Sequence, residues 1–292
     1  MSDARSGYRL GIALVMAAAI AWSTAPFFTR LLPIDSWTIL FWRGLFGGSL
    51  ILVFLTLAQG QVGLRDLITM GRGGWLVASL STLAMVAFIP ALQVTSATNV
   101  AVIIATQPFV AAAMAWAWFR EAAPLRTLVA ALAAFCGVAI TVGNAQAASD
   151  VRGIALACLM VLAVSAMTVA IRRYKQTSMV VAAALSNFLG SVVSFPFAHD
   201  IVNVTGAEIF ILAMFGFFQV AMGLTFFVLG SRLLPSGQAS LIATLETPLM
   251  PFWIWLAFRE LPTSRALVGG ALVMSAVVAD VVIGESRARS HR

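Results

Sequence analysis

Apolar residues run through this chain in long blocks, and the polar residues inside them stand alone rather than repeating on one face. A helix needs about 20 apolar residues to cross roughly 30 Å of hydrocarbon. Ten blocks reach that length, near 9–30, 35–58, 73–93, 96–119, 124–143, 151–172, 178–198, 207–230, 236–258 and 263–284. The connections between them are short and hold no soluble domain. The pattern predicts an all-α integral membrane protein with ten transmembrane helices, numbered here as spans 1 to 10.

The blocks repeat. Phe119-Arg120-Glu121 closes span 4 and Phe258-Arg259-Glu260 closes span 9. Each triplet follows a midspan proline, Pro108 or Pro248, and Ser96 to Pro108 has the length of Ser236 to Pro248. The run from Gly11 likewise matches the run from Gly153, pairing Ser23 with Ser165 and Arg30 with Arg172. Ten spans in two copies give five each. Five is odd, so the second copy must be inverted in the bilayer. The expected units are residues 1–146 and 147–292, packed around a central cavity. Arg5, Arg9 and the apolar run that follows imitate a signal peptide, but that run belongs to the repeat and is expected to be retained as span 1.

Composition and charge sharpen this picture. Hydrophobic residues make up 61% of the chain and charged ones 10%, against about 45–50% and about 25% in soluble domains. The net charge of +7 is scattered through short loops, which speaks against a nucleic-acid partner. With the N-terminus in the cytoplasm, 13 basic residues fall on inner loops and tails, and only Arg30, Arg152, Arg259 and Arg265 on outer ones. The positive-inside rule therefore places both termini in the cytoplasm, and a multi-pass protein of the bacterial inner membrane is expected. Trp37, Trp75, Trp116, Trp118, Trp253 and Trp255 fall near the predicted interfaces, whereas Trp22 and Trp42 do not. Cys136 and Cys158 lie in apolar segments without a metal or disulfide spacing, and packing is their expected role.

Several strings carry a family resemblance: Ala21-Trp22-Ser23, Arg43, Thr95-Ser96-Ala97, Pro108 and Glu121 in the first half, then Leu234-Pro235-Ser236-Gly237-Gln238-Ala239-Ser240, Glu246-Thr247-Pro248 and Glu260 in the second. In these the chain resembles the ten-helix drug/metabolite transporter superfamily, EamA type, over nearly its whole length. Within it the chain looks most like bacterial exporters of aromatic amino acids, the YddG type. The resemblance implies alternating access to a midplane site, with one half rocking against the other, as inverted repeats allow.

The candidate site residues are Trp22, Ser23, Arg43, Gln107, Asn187, Gln219, Glu246 and Thr247, with Pro108 and Pro248 as kinks at the cavity. Glu246 is predicted about ten residues, or roughly 15 Å, from the inner face. A carboxylate at that depth needs a partner, a watery cavity or a proton. It could meet a substrate ammonium, carry a coupling proton, or fasten the kinked helix. Arg43 lies roughly 12 Å below the outer face, and could pair with Glu246, hold a substrate carboxylate, or snorkel outwards. Prolines free a backbone carbonyl in midspan. The amides Asn99, Asn187, Gln219 and Gln238 suit interhelical hydrogen bonds, and Asn187 and Gln219 are deep enough to reach a cavity. Trp22 offers an indole wall. Gly44-x-x-x-Gly48 predicts a tight crossing.

No HExxH, GxSxG or phosphate-binding glycine loop is present, so no enzyme, metal or cofactor is expected. The partners expected are the bilayer and a small-molecule substrate such as an amino acid, with a monomer as the working unit. The function expected is export of small amphipathic solutes, above all aromatic or hydrophobic amino acids. The alternatives are export of organic cations or other metabolites, and a channel-like facilitator.

Overall fold

A computed structural model describes residues 2–59, 69–94, 100, 103–120, 123–142, 151–174, 179–199, 201–259, 261 and 264–290. Inside a bilayer every backbone N–H and C=O must be satisfied within the protein, which leaves the helix as the form for apolar blocks of this length. Among the described residues, helices occupy the predicted blocks. Span 1 comprises Ser2–Ser23 and Ala25–Leu31, span 2 Ser36–Gln59, span 3 Gly71–Val94, and span 4 is described over its second half, Gln107–Phe119. Span 5 is Leu125–Val142, span 6 Val151–Arg173 and span 7 Met179–Ser194 with a short 3-10 turn to Phe197. Span 8 runs from Gly206 to Ser231, span 9 comprises Ser236–Ala243 and Glu246–Phe258, and span 10 is Ser264–Ser290. Glu121, Glu260, Asn99 and Thr95 to Ala97 lie outside the described residues.

The packing has the symmetry of a duplicated unit. Spans 2 and 7, 4 and 9, and 5 and 10 pack on their own copies. Several further contacts come in matched sets: 3 with 6 and 8 with 1, 3 with 7 and 8 with 2, 4 with 6 and 9 with 1. Exchanging the halves maps these pairs onto one another, whereas the contacts of span 9 with spans 5 and 6 have no such counterpart among the described residues. The backbone repeats too. Arg120 (φ 58°, ψ 23°) and Arg259 (φ 59°, ψ 20°) are both left-handed, and their amides donate to the carbonyls of Trp116 and Trp255. Among the described residues these are the only non-glycine positions with positive φ. With five spans each, the copies are inverted, and both chain termini emerge at one end of the bundle.

Local chemistry sets the ends and crossings. Asp35 opens span 2 by accepting the amides of Trp37 at 2.9 Å and Thr38 at 3.0 Å. Burial pushes its carboxyl up, but the Thr38 hydroxyl and the amides of Thr38, Trp37 and His199 outweigh this and hold it below the ordinary carboxylate value. Thr205 and Glu208 form a reciprocal capping box at the start of span 8. Spans 2 and 7 cross at Gly44, where an added Cβ would lie 2.6 Å from Ser191 Oγ and 2.8 Å from the Asn187 carbonyl. Trp42 donates its indole N–H to the carbonyl of Ile201 in the loop after span 7, at 3.3 Å. One expectation changes. Cys136 and Cys158 are exposed on the outside of the bundle rather than packed within it, because helices fully apolar around their circumference also present apolar residues to lipid.

Candidate functional site

Three spans break at the same level of the bundle: span 1 at Thr24, span 4 at Ala105-Thr106 and span 9 at Thr244-Leu245. At each break a threonine hydroxyl donates to the carbonyl three residues earlier, Thr24 to Ala21, Thr106 to Ile103 and Thr244 to Leu241, all at 2.6 Å. These bonds satisfy part of the backbone that an interrupted helix leaves open. Aligned on the breaks and on the left-handed arginines, Gln107 takes the register of Glu246, and Pro108 that of Thr247. The proline alignment, which sets Gln107 against Thr247, is therefore corrected. In the second copy one more residue separates the break from its proline, so the two copies place different side chains first after the break.

A cavity of about 230 Å³ opens at this level. Its polar lining is Arg43 of span 2, Ser81 of span 3, Gln107 of span 4, Asn187 of span 7, Gln219 of span 8, and Thr244 and Glu246 of span 9. The apolar wall is Trp22, Phe88 and the thioethers of Met85, Met160, Met167 and Met250, with smaller aliphatic residues between. Trp22 reaches this place because span 8 has no side chain at Gly223, where a Cβ would stand 2.7 Å from the indole. It packs on Phe227 at 4.9 Å between ring centroids. Among the described residues, spans 5 and 10 contribute nothing to the lining.

Span 8 changes form where it meets the cavity. Gly216–Leu224 is a π-helix, wider than the α-helices on either side, a form that often marks functional positions. The altered turn presents Gln219 to span 2, and Arg43 Nη1 donates to Gln219 Oε1. The guanidinium also lies 5.3 Å from the Phe215 ring centre, within cation–π range. Its Nε is buried without a hydrogen-bond partner. Across the cavity, the Glu246 carboxylate has no hydrogen bond or ion pair among the described residues, and no contact under 4.0 Å joins it to Arg43. The pairing of the two charges that their depths permit is therefore not made. One cationic and one anionic group face a single cavity with no opposite charge on either. Asn187 Nδ2 donates to the Ala183 carbonyl at 2.8 Å, which leaves Oδ1 for the cavity.

Of the residues singled out from sequence, Trp22, Arg43, Gln107, Asn187, Gln219 and Glu246 are brought together here, while Ser23, Thr247, Pro108 and Pro248 do not line the cavity. Ser23 is fully buried and accepts the Trp253 indole N–H at 2.7 Å. Its repeat partner Ser165, also fully buried, donates to the Gln107 carbonyl at 3.5 Å. Both serines thus fasten spans 1 and 6 to the broken span of the other repeat. Pro108 is buried against the span 9 backbone at Gly237, and Pro248 meets Gly270 of span 10. The prolines kink the spans from behind. Spans 3 and 6 enter the lining unannounced. A signal for span 6 did exist: the register that pairs Ser23 with Ser165 pairs Trp22 with Val164, and both line the cavity.

A family model for EamA-like transporters matches the chain twice, over residues 9–143 and 151–279. The chain belongs to the EamA-like transporter family. A solved structure, titled only as the crystal structure of a protein, shares the fold at a TM-score of 0.78 and 17% sequence identity, covering 94% of this chain and 98% of that one. No curated protein matches in a sequence search. The match reaches the EamA-like family as a whole and singles out no aromatic amino acid subgroup. As members of this family do, the chain spans the membrane several times and moves small solutes across it.

Proposed function

We propose that this EamA-like transporter is a secondary carrier that exports small amphipathic zwitterions, chiefly aromatic or hydrophobic amino acids, across the bacterial inner membrane by alternating access, with both termini in the cytoplasm. One observation carries the reading. Arg43 and Glu246 face one cavity, neither has an ionic partner among the described residues, and the walls between them are otherwise mostly apolar. An α-amino acid supplies the two missing charges and an apolar side chain at once. In this reading the Arg43 guanidinium takes the carboxylate, for which its fork of donors is suited. Glu246 takes the ammonium and, in its absence, can hold a proton. Trp22, Phe88 and the four methionines receive the side chain. The thioethers are flexible enough to fit several shapes. A volume of about 230 Å³ lies just below the roughly 300–1,000 Å³ typical of drug-sized ligands, as suits a solute of amino-acid size.

Counterflow of labelled amino acids into liposomes holding the purified protein tests this. Saturable, self-inhibited exchange of aromatic or large aliphatic amino acids is expected. Current without saturation would show a channel instead. A second reading, export of organic cations, is favoured by the Arg43 bond to Gln219, which leaves Glu246 as the less committed charge. Stronger counterflow of tryptamine than of tryptophan would select it.

A further inference from the structure

Between the cavity and the end of the bundle that carries the termini lies a second polar cluster. Asp280 of span 10 is 1% exposed. It accepts the Thr127 hydroxyl of span 5 at 2.8 Å and the Gln238 amide of span 9 at 2.7 Å, and Arg126 Nε stands 3.5 Å away. The same amide nitrogen donates to the Tyr8 hydroxyl of span 1 at 2.9 Å. Gln238 thus forms interhelical bonds, as its type suggests. Nothing in the sequence announces this burial, since Asp280 stands close to the predicted end of its span at 284, where a carboxylate ordinarily reaches water.

The cluster holds a short, separate segment of span 9. Ser236–Ala243 is a helix of its own, separated from Glu246–Phe258 by the break at Thr244-Leu245. All eight of its residues are buried, whereas none of Glu246–Phe258 is. It therefore closes the cavity on the termini side, ending at the lining residues Ala243 and Thr244. Within it the Ser236 and Ser240 hydroxyls and Gln238 Oε1 are buried without partners. Those groups gain water when the segment opens, which lowers the cost of opening. The duplication does not reproduce the cluster. In the register that pairs Arg120 with Arg259, Arg126 is matched by Arg265, but Thr127 by Ala266 and Asp280 by Thr141. Identical inverted copies would close the two sides equally well, so an acid at only one of these two matched positions biases which side stays shut.

We propose that Asp280 is a positioning residue that holds span 9 shut on the cytoplasmic side and so biases the carrier towards its outward-open state. This rests on the alternating-access reading and the cytoplasmic termini given above. Ala243→Cys, placed in a Cys136→Ala, Cys158→Ala background, reports the cavity to a membrane-impermeant maleimide added to right-side-out or inside-out vesicles. With Asp280→Asn, labelling from the cytoplasmic face is expected to rise about tenfold relative to the outer face, the factor for losing about one charge-assisted hydrogen bond. Thr127→Val removes a single bond at nearly constant volume and should move the ratio the same way by less, which keeps the test open should Asp280→Asn not fold. A ratio unmoved in both variants, or moved towards the outer face, overturns the role of Asp280 alone. Counterflow by the parent tests the alternating-access reading separately: current without saturation would refute that reading, and this proposal with it.

Discussion

Replacing Arg43 by glutamine separates the two substrate classes that the cavity could serve. Glutamine keeps a polar group able to meet Gln219 but removes the positive charge. Arginine has five N–H donors. In the structure one Nη1 hydrogen is engaged with Gln219 and Nε is buried, so Nη2 and the second Nη1 hydrogen are the donors left for a ligand. A hydrogen bond to a charged group is worth about 1.5–3 kcal/mol, and about 1.4 kcal/mol is tenfold in affinity. The concentration of amino acid that half-saturates counterflow should therefore rise roughly 10- to 100-fold. The amine of the same side chain lacks the carboxylate and should be affected about twofold or less on the same principle. Competition by tryptophan and tryptamine against one labelled substrate measures both in one preparation. Equal losses for the two ligands would show that Arg43 only braces span 8 through Gln219 and the Phe215 ring. No loss for either would remove it from the site.

Glu246→Gln should abolish the response of flux to an imposed pH gradient while leaving counterflow at saturating substrate largely intact, and an unchanged pH-driven flux in that variant would end the coupling role. Ser23→Ala should leave half-saturation unchanged, yet lower thermal stability in detergent by about 0.6–2 kcal/mol through loss of the Trp253 bond. Asp35→Ala should cost about 1 kcal/mol at neutral pH as a lost helix cap. The Asp35 carboxyl is held below the ordinary carboxylate value, so its contribution is full above the unfolded value and fades as pH falls through the folded one. Unfolding scans of parent and variant should accordingly converge in acid.

Along each span, sequence fixed depth but not direction. A rise of about 1.5 Å per residue places a side chain within the bilayer once the ends of an apolar block are known. Trp22, Arg43, Gln107, Asn187, Gln219 and Glu246 could thus be assigned to one level before any contact was known. The repeat and its inversion follow from the chain alone as well, because matching strings and an odd span count need no packing information. Which way a residue points is set by its neighbours. Ser23 is one residue from Trp22, and Thr247 one from Glu246, yet a turn of about 100° per residue takes both off the cavity. The offset between break and proline in span 9, the π-helix that presents Gln219, and the burial of Asp280 beneath its own interface depend on the packing of other spans. No local pattern in the chain encodes them. What tertiary structure alone decided was that Arg43 and Glu246 stand apart across one cavity, because the faces of spans 2 and 9 are fixed by crossings such as Gly44 on span 7 and Trp253 on Ser23.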